Sequence, residues 1–225
     1  MRILRYARSI AHRVRKAINR RVGPYRFRKG MASSGPKRLV IGSSGWFDFG
    51  WIPTEQAFLD LTKPAQWERC FAPNSLDAML AEHVWEHLMP DDALTAAKTC
   101  FTYLKPGGYL RIAVPDGHHP SPTYLEWVRV GGAWSGQLTN DHKVLYTYDT
   151  LVALFQAAGF RVELYEYFDE AGVFHYRDWD PQQGKIRRSK RFDKLNRDGS
   201  LTYTSIVLDA FKPERGIPIS ASAGT

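Results

Sequence analysis

The sequence predicts an α/β fold built on an open, mostly parallel sheet, and three observations carry that prediction. Leu76, Ala78, Met79, Leu80 and Ala81 form an apolar run as long as one buried strand, halted by Glu82 and His83. From Asp92 to Leu104 the spacing changes: Leu94, Ala97, Phe101 and Leu104 recur at three- and four-residue steps, as in an amphipathic helix, with Asp91 or Asp92 available as N-cap. Pro106, Gly107 and Gly108 then turn the chain into Leu110, Ile112 and Val114, a second strand ended by Pro115. Two strands joined through a helix make a right-handed parallel crossover, and the polar loop from Asp116 falls where such sheets bind their ligands.

The remaining elements follow in order. Arg38 to Ile41 starts the first strand, and Gly42, Ser43, Ser44 and Gly45 turn the chain at its end, where glycine allows a sharp bend and close approach to a ligand. The tetrad lacks the GxGxxG spacing of a phosphate loop, and taken alone it reads as an ordinary glycine turn. Trp51 to Glu55 reads as strand two and Phe58 to Leu61 as strand three. Neither connection has room for a helix, because a full crossover needs at least ten to twelve residues. Downstream, a helix from Asp149 to Ala158 is closed by Gly159 and leads into a strand from Arg161 to Phe168. A turn over Asp169 to Gly172 then returns the chain through VFHYRDWD, and Leu201 to Phe211 supplies a long last strand.

At 225 residues the chain suits one such domain with extensions. Its net charge of +8 is unevenly placed: residues 1–29 hold eleven Lys/Arg and no acid, leaving 20 basic against 23 acidic residues elsewhere. On a helix, Ile3, Leu4, Tyr6, Ile10, Val14, Ile18 and Val22 share one face, with nearly all the basic residues opposite. A basic amphipathic helix of this kind suits an anionic membrane surface, through residues 2–22, or an acidic partner; the plain reading is a helix packed on its own domain. Stacking aromatics are sparse among the charges, which argues against a dedicated nucleic-acid reader.

Gly23 and Pro24, then residues 30–37, mark a linker between arm and domain, and residues 213–225 read as a disordered tail. Two cysteines, Cys70 and Cys100, are too few for a disulfide framework. No long apolar stretch and no secretory h-region occur, so the expectation is a reduced, cytoplasmic protein, peripheral at a membrane where the arm engages one.

The motifs EHVWEHL (82–88) and LKPGGYLRIAVPDG (104–117), with LVIGSSG upstream and LVALFQAAGF downstream, resemble the class I S-adenosylmethionine-dependent methyltransferases, in particular the type 11 group, over roughly Arg38 to Lys212. The resemblance implies a Rossmann-like methyltransferase sheet with an antiparallel C-terminal hairpin that sets the last strand between strands five and six. Here the first helices are shortened or missing, and the basic arm is expected to cover the sheet face they leave bare. Similar abridged domains accompany glycan and cell-surface biosynthesis enzymes, so the resemblance implies a small-molecule or glycan acceptor. The rival reading is a non-catalytic accessory protein of the same fold.

The resemblance also implies the cofactor contacts. Gly42, Ser43, Ser44 and Gly45 form the loop after the first strand. Glu55 matches the carboxylate that accepts from both ribose hydroxyls, Asp60 the acid beside the adenine, and Glu82 with His83 the sulfonium end. Each of these acids alone is equally well read as a solvated strand-end carboxylate. His118 and His119, just past a strand end in a Pro- and Gly-rich loop, are the candidate catalytic bases, against a plain reading as loop histidines.

His83 to His87 also spell HxxEH, the inverted zincin pattern. Pro90 leaves barely one turn for both ligands and the sequence announces no third, so no metal is expected. Arg187, Arg188, Lys190 and Arg191 form a basic cluster that suits a phosphate or sugar acid, or plain solvent.

Overall fold

The computed structural model describes residues 17–18, 21–131, 133–134, 137–138 and 141–214. Most of the predicted arm helix and nearly all of the predicted tail lie outside the described residues. A seven-stranded sheet organises the domain. Its strands are β1 (Arg38–Ile41), β2 (Ile52–Pro53), β3 (Leu76–Glu82), β4 (Leu104–Pro115), β7 (Arg161–Phe168), β8 (Phe174–Tyr176) and β9 (Ser205–Phe211), in the order β2-β1-β3-β4-β9-β7-β8. A separate two-stranded ribbon joins β5 (Ala133–Trp134) to β6 (Gln137–Leu138). The four strands from β2 to β4 run parallel, and β9 enters antiparallel between β4 and β7. This is the Rossmann-like sheet with the antiparallel C-terminal hairpin that the sequence predicts.

Helices α3 (Pro90–Tyr103) and α5 (Tyr148–Ala157) cover one face, and the short α4 (Pro122–Val128) lies between them in the chain. Buried Ala93, Ala96, Ala97 and Cys100 lie in one core with Met79, Ala81, Leu110, Ile112, Leu151 and Phe155. For α3, Pro90 occupies the first turn and Met89 is the N-cap, so Asp91 and Asp92 sit inside the helix near its positive end instead of capping it. A Thr147–Thr150 capping box opens α5, and Gly159, at φ +99°, closes it as predicted.

The first half of the sheet departs from expectation in detail. Strand two is only Ile52–Pro53, and Phe58 to Leu61 is a turn, not a third strand. Asp60 accepts from the Thr62 backbone N–H at 2.9 Å and from its hydroxyl at 2.8 Å, and this local turn leads into α2 (Pro64–Glu68). No helix separates β1 from β2, so the predicted loss of the early helices holds.

Residues 21–32 form helix α1, which runs straight through the boundary expected at Gly23 and Pro24. Glycine is needed at two of its positions because the helix lies almost on the domain. A Cβ on Gly23 would come within 2.7 Å of Phe58, and one on Gly30 within 2.7 Å of Ile52. Phe27, on the same helix face, packs edge-on to Phe71 at 5.7 Å. The described part of the arm therefore packs on the domain.

It packs with the core of α3 and α5, not on the opposite face. That second face, carrying Val40, Ala78, Leu80, Ala113 and Val207, is covered by residues 177–200 through Trp179, Ile186 and Phe192. This segment holds α-helix nowhere, only two short 3-10 turns at Pro181–Gln183 and Lys194–Asn196 (η1 and η2 here). Three polar anchors hold it. Arg111 pairs with Asp209 through two 2.8 Å bonds and donates its third nitrogen to the carbonyls of Asp180 and Gly184. Glu166 accepts from Trp179 Nε1 and the Lys190 N–H, and Asn196 exchanges bonds with the Tyr203 backbone.

Candidate active site

The sheet reverses its winding between β1 and β3: one connection leads outward to β2, the next returns to β3 on the other side. Open α/β sheets bind ligands over the strand C-termini at such a point, and two adjoining cavities lie there. One, of about 740 Å³, extends over Glu55, Gln56, Asp60 and Leu61. The other, of about 440 Å³, extends over Glu82, Glu86, His142 and Arg188. Ile41, Gly42, Ser44, His83 and His87 line both.

The glycine tetrad and Glu55 form one unit. Gly42 takes φ +61° and Ser44 φ +45°, bending the chain at the end of β1. Ser43 donates its hydroxyl to Glu55 Oε1 at 2.8 Å, and the Gly45 N–H reaches the same oxygen at 3.3 Å. One oxygen of Glu55 is thus fixed by the turn, while Oε2 has no hydrogen-bond partner among the described residues. Asp60 is buried, with Oδ1 used by Thr62, and lines the same cavity.

Around the smaller cavity the groups are charged and crowded. Glu82 Oε1 accepts the Arg188 backbone N–H at 2.7 Å; burial pushes its carboxyl above the usual range, and that bond only partly opposes the shift. His83, with φ +56°, points its ring between Ser205 Oγ (3.1 Å from Nε2) and the Arg188 guanidinium (3.2 Å from Nδ1). Burial, and after it the Arg188 charge, lowers its pKa to about 4, so the imidazole is neutral at physiological pH. Glu86 is 1 % exposed on the turn Trp85–His87, and His142 is brought alongside because the Lys143 and Val144 N–H groups bond the Glu86 carbonyl.

The family model described as a methyltransferase domain matches residues 13–165. The chain belongs to this methyltransferase family. It is a class I S-adenosylmethionine-dependent methyltransferase. Solved structures of similar fold include an S-adenosylmethionine-dependent methyltransferase from Archaeoglobus fulgidus, at 17% identity over 88% of this chain and 92% of that one, TM-score 0.43. Another from Thermotoga maritima shares 13% identity over 93% and 95%, TM-score 0.47. A third, Haemonchus contortus phosphoethanolamine N-methyltransferase 2 with bound S-adenosyl-L-methionine, shares 14% over 85% and 52%, TM-score 0.41. No curated protein matches the chain in sequence.

For a methyltransferase the residues present fit the cofactor. A half-free carboxylate, Glu55, stands beside a glycine-bent turn at the end of β1, and both line the larger cavity through Gly42 and Glu55. Of the predicted site residues, Gly42, Ser43, Ser44, Glu55, Asp60, Glu82 and His83 line this crevice, while Gly45 lies outside it and reaches it only through its bond to Glu55.

The two predicted bases do not line it. His119 is buried against Tyr124, with ring centroids 3.9 Å apart. Its Nε2 lies 2.9 Å from the Leu201 carbonyl and its Nδ1 accepts the Ser121 N–H, so both nitrogens are occupied. His118 stands apart, beside Tyr148. The histidines that do line the crevice are His83, His87 and His142. Arg187 and Arg188 join them from the basic cluster, a position the charge pattern alone does not fix.

Proposed function

We propose that this methyltransferase acts on a small-molecule or glycan acceptor that carries a phosphate or carboxylate, at an oxygen or nitrogen placed in the smaller cavity. The reading rests most on Glu55: its Oε1 is held by Ser43 and Gly45, which leaves Oε2 and the remaining lone pairs to accept from a ribose. S-adenosylmethionine, when bound, supplies an electrophilic methyl on a sulfonium that departs as a neutral thioether. The chain itself does little covalent work. Its contribution is alignment of the two reactants within a walled crevice, which supports large effective molarities.

Arg187 and Arg188 face the acceptor end, and two guanidiniums there favour an anionic acceptor. A proton released by a hydroxyl acceptor has His83, Glu86, His87 and His142 in the wall to receive it. The basic arm, residues 2–22, serves in this reading to hold the enzyme at an anionic membrane surface. The accessory-protein alternative is weakened by the free Glu55 oxygen.

Calorimetric titration with S-adenosylmethionine tests the core of the proposal. Two hydrogen bonds to a carboxylate, at about 1.5 kcal/mol each, make the Glu55→Ala variant roughly 100-fold weaker than wild type. No binding to the folded wild-type protein at millimolar cofactor would refute the enzyme and restore the accessory.

A further inference from the structure

We propose that Glu86, His87 and His142 form a site for a divalent transition-metal ion such as zinc, at the junction of the two cavities. HxxEH alone gives two neighbouring ligands and no third; the fold supplies the third by docking residues 142–144 onto the Glu86 carbonyl. The three ligand atoms lie within 4.8 Å of one another. Glu86 Oε1 is 3.9 Å from His87 Nε2. Tetrahedral bonds of about 2.1 Å set ligand atoms about 3.4 Å apart, so closure needs shifts of about 0.5 Å at that edge and up to about 1.4 Å at the longest.

The protonation pattern points the same way. His142 Nδ1 lies 2.8 Å from the Val128 carbonyl, which can only accept, so Nδ1 carries the proton and Nε2 presents its lone pair. His87 Nδ1 lies 3.3 Å from the exposed Asp141 Oδ2 without a hydrogen bond between them, so only the His142 tautomer is fixed by its partner.

Glu86 is what needs the cation. Both of its carboxylate oxygens are buried and accept no hydrogen bond from the described residues. Its nearest neighbour, His83 Nδ1 at 3.0 Å, also faces Arg188 NH1 at 3.2 Å. His83 Nδ1 is thus shared between Glu86 and Arg188, and neither carboxylate oxygen has a hydrogen bond of its own among the described residues. A buried carboxylate in that condition is costly, and a coordinated cation removes the cost. Two imidazoles and one carboxylate suit zinc or cobalt, with the fourth position open to the cavity for water or an acceptor oxygen. That last role rests on the methyl-transfer reading; the site itself does not.

The test uses full-length protein stripped with chelator and titrated with zinc and with cobalt(II), without S-adenosylmethionine. The expected result is one ion per chain, a visible cobalt band without thiolate charge transfer, and a rise in Tm with zinc. His87→Ala, at a partly exposed position, weakens the affinity at least about 10-fold and removes the Tm rise, with the melt of the metal-free variant as the control for folding; Glu86→Gln does the same. Any of three outcomes overturns the proposal: no stoichiometric uptake by wild type, equal affinity in His87→Ala, or a thiolate band that vanishes with Cys70→Ser, the exposed cysteine. Calorimetry with S-adenosylmethionine on the same samples separates the cases. Intact cofactor binding without metal uptake rejects the metal alone, and metal uptake without cofactor binding rejects only the methyltransferase reading.

Discussion

Removing Asp209 while leaving Arg111 tests how the sheet face opposite the helices is held. Both side chains are almost wholly buried, at 3% and 4% exposure. The guanidinium lies between Trp179, 5.0 Å away, and Tyr165, 5.6 Å away, with its remaining nitrogen on the carbonyls of Asp180 and Gly184. Asp209→Ala strands a charge in that setting, and breaking a buried pair from one side costs about 3–5 kcal/mol. In a chain of this size each kcal/mol moves Tm by about 2–4 °C, so the melt falls by about 6–20 °C.

The double variant Arg111→Met with Asp209→Leu removes both charges and recovers much of the loss, because a buried pair often exchanges for apolar residues at little net cost. It does not restore the two carbonyl bonds, so amide exchange over residues 177–188 stays fast in both variants. Thermal melts with parallel hydrogen exchange read both effects. A fall under about 3 °C in Asp209→Ala, or a double variant no better than the single, would refute the assignment of the pair as the anchor of that segment.

Two further outcomes are accessible. Burial lowers the pKa of His119, with the Leu201 carbonyl opposing the shift; the unfolded chain therefore binds a proton there before the folded one does. Stability from this group is present above its ordinary pKa of about 6.5 and is lost as pH falls below it, so His119→Phe flattens the acid side of a Tm–pH profile, and an unchanged slope counts against the reading. For the arm, each basic residue near anionic headgroups contributes about 1 kcal/mol. Neutralising Arg2, Arg5, Arg8, Arg13 and Arg15 in the full chain should abolish sedimentation with phosphatidylserine vesicles, and equal sedimentation of both proteins removes the membrane role.

Where a local period or a turn residue decides the outcome, the sequence was enough. The run Leu76–Ala81, the helical spacing into Phe101 and the strand from Leu110 to Val114 fold as their apolar periods dictate. Gly42 to Gly45 meets Glu55 because only a short connection separates them. Phe58 to Leu61 misled because its apolar residues are buried without pairing: the Asp60 side chain turns the backbone, and burial alone looks like a strand. The helix through Gly23 and Pro24 breaks the punctuation rule because Gly23 and Gly30 permit close packing on Phe58 and Ile52.

Tertiary contacts across long separations left no such mark. His142 is brought to Glu86 by the backbone bonds of its neighbours Lys143 and Val144, and Arg111 meets Asp209 only through the antiparallel register of β4 and β9. The failure of His118 and His119 as site residues is of the same kind. A loop just past a strand end is the right neighbourhood, but the stacking of His119 on Tyr124 turns it away from the crevice.

The shortened first half and the arginine-lined wall of the smaller cavity are two consequences of one rearrangement. Without a helix between β1 and β2, the face bearing Val40, Leu80 and Val207 needs another cover, and residues 177–200 provide it. A helix would satisfy its own backbone groups; an irregular segment must find partners elsewhere, which is why Arg111, Glu166 and Asn196 are buried beneath or within it. The same segment, so held, carries Arg187 and Arg188 to the crevice, where the Arg188 N–H reaches Glu82 and its guanidinium reaches His83. Loosening the segment therefore loosens the crevice wall that carries Arg187 and Arg188. It follows that the Asp209 variants should weaken acceptor binding more than cofactor binding, since Glu55 and its turn are anchored to β1 and β2 instead.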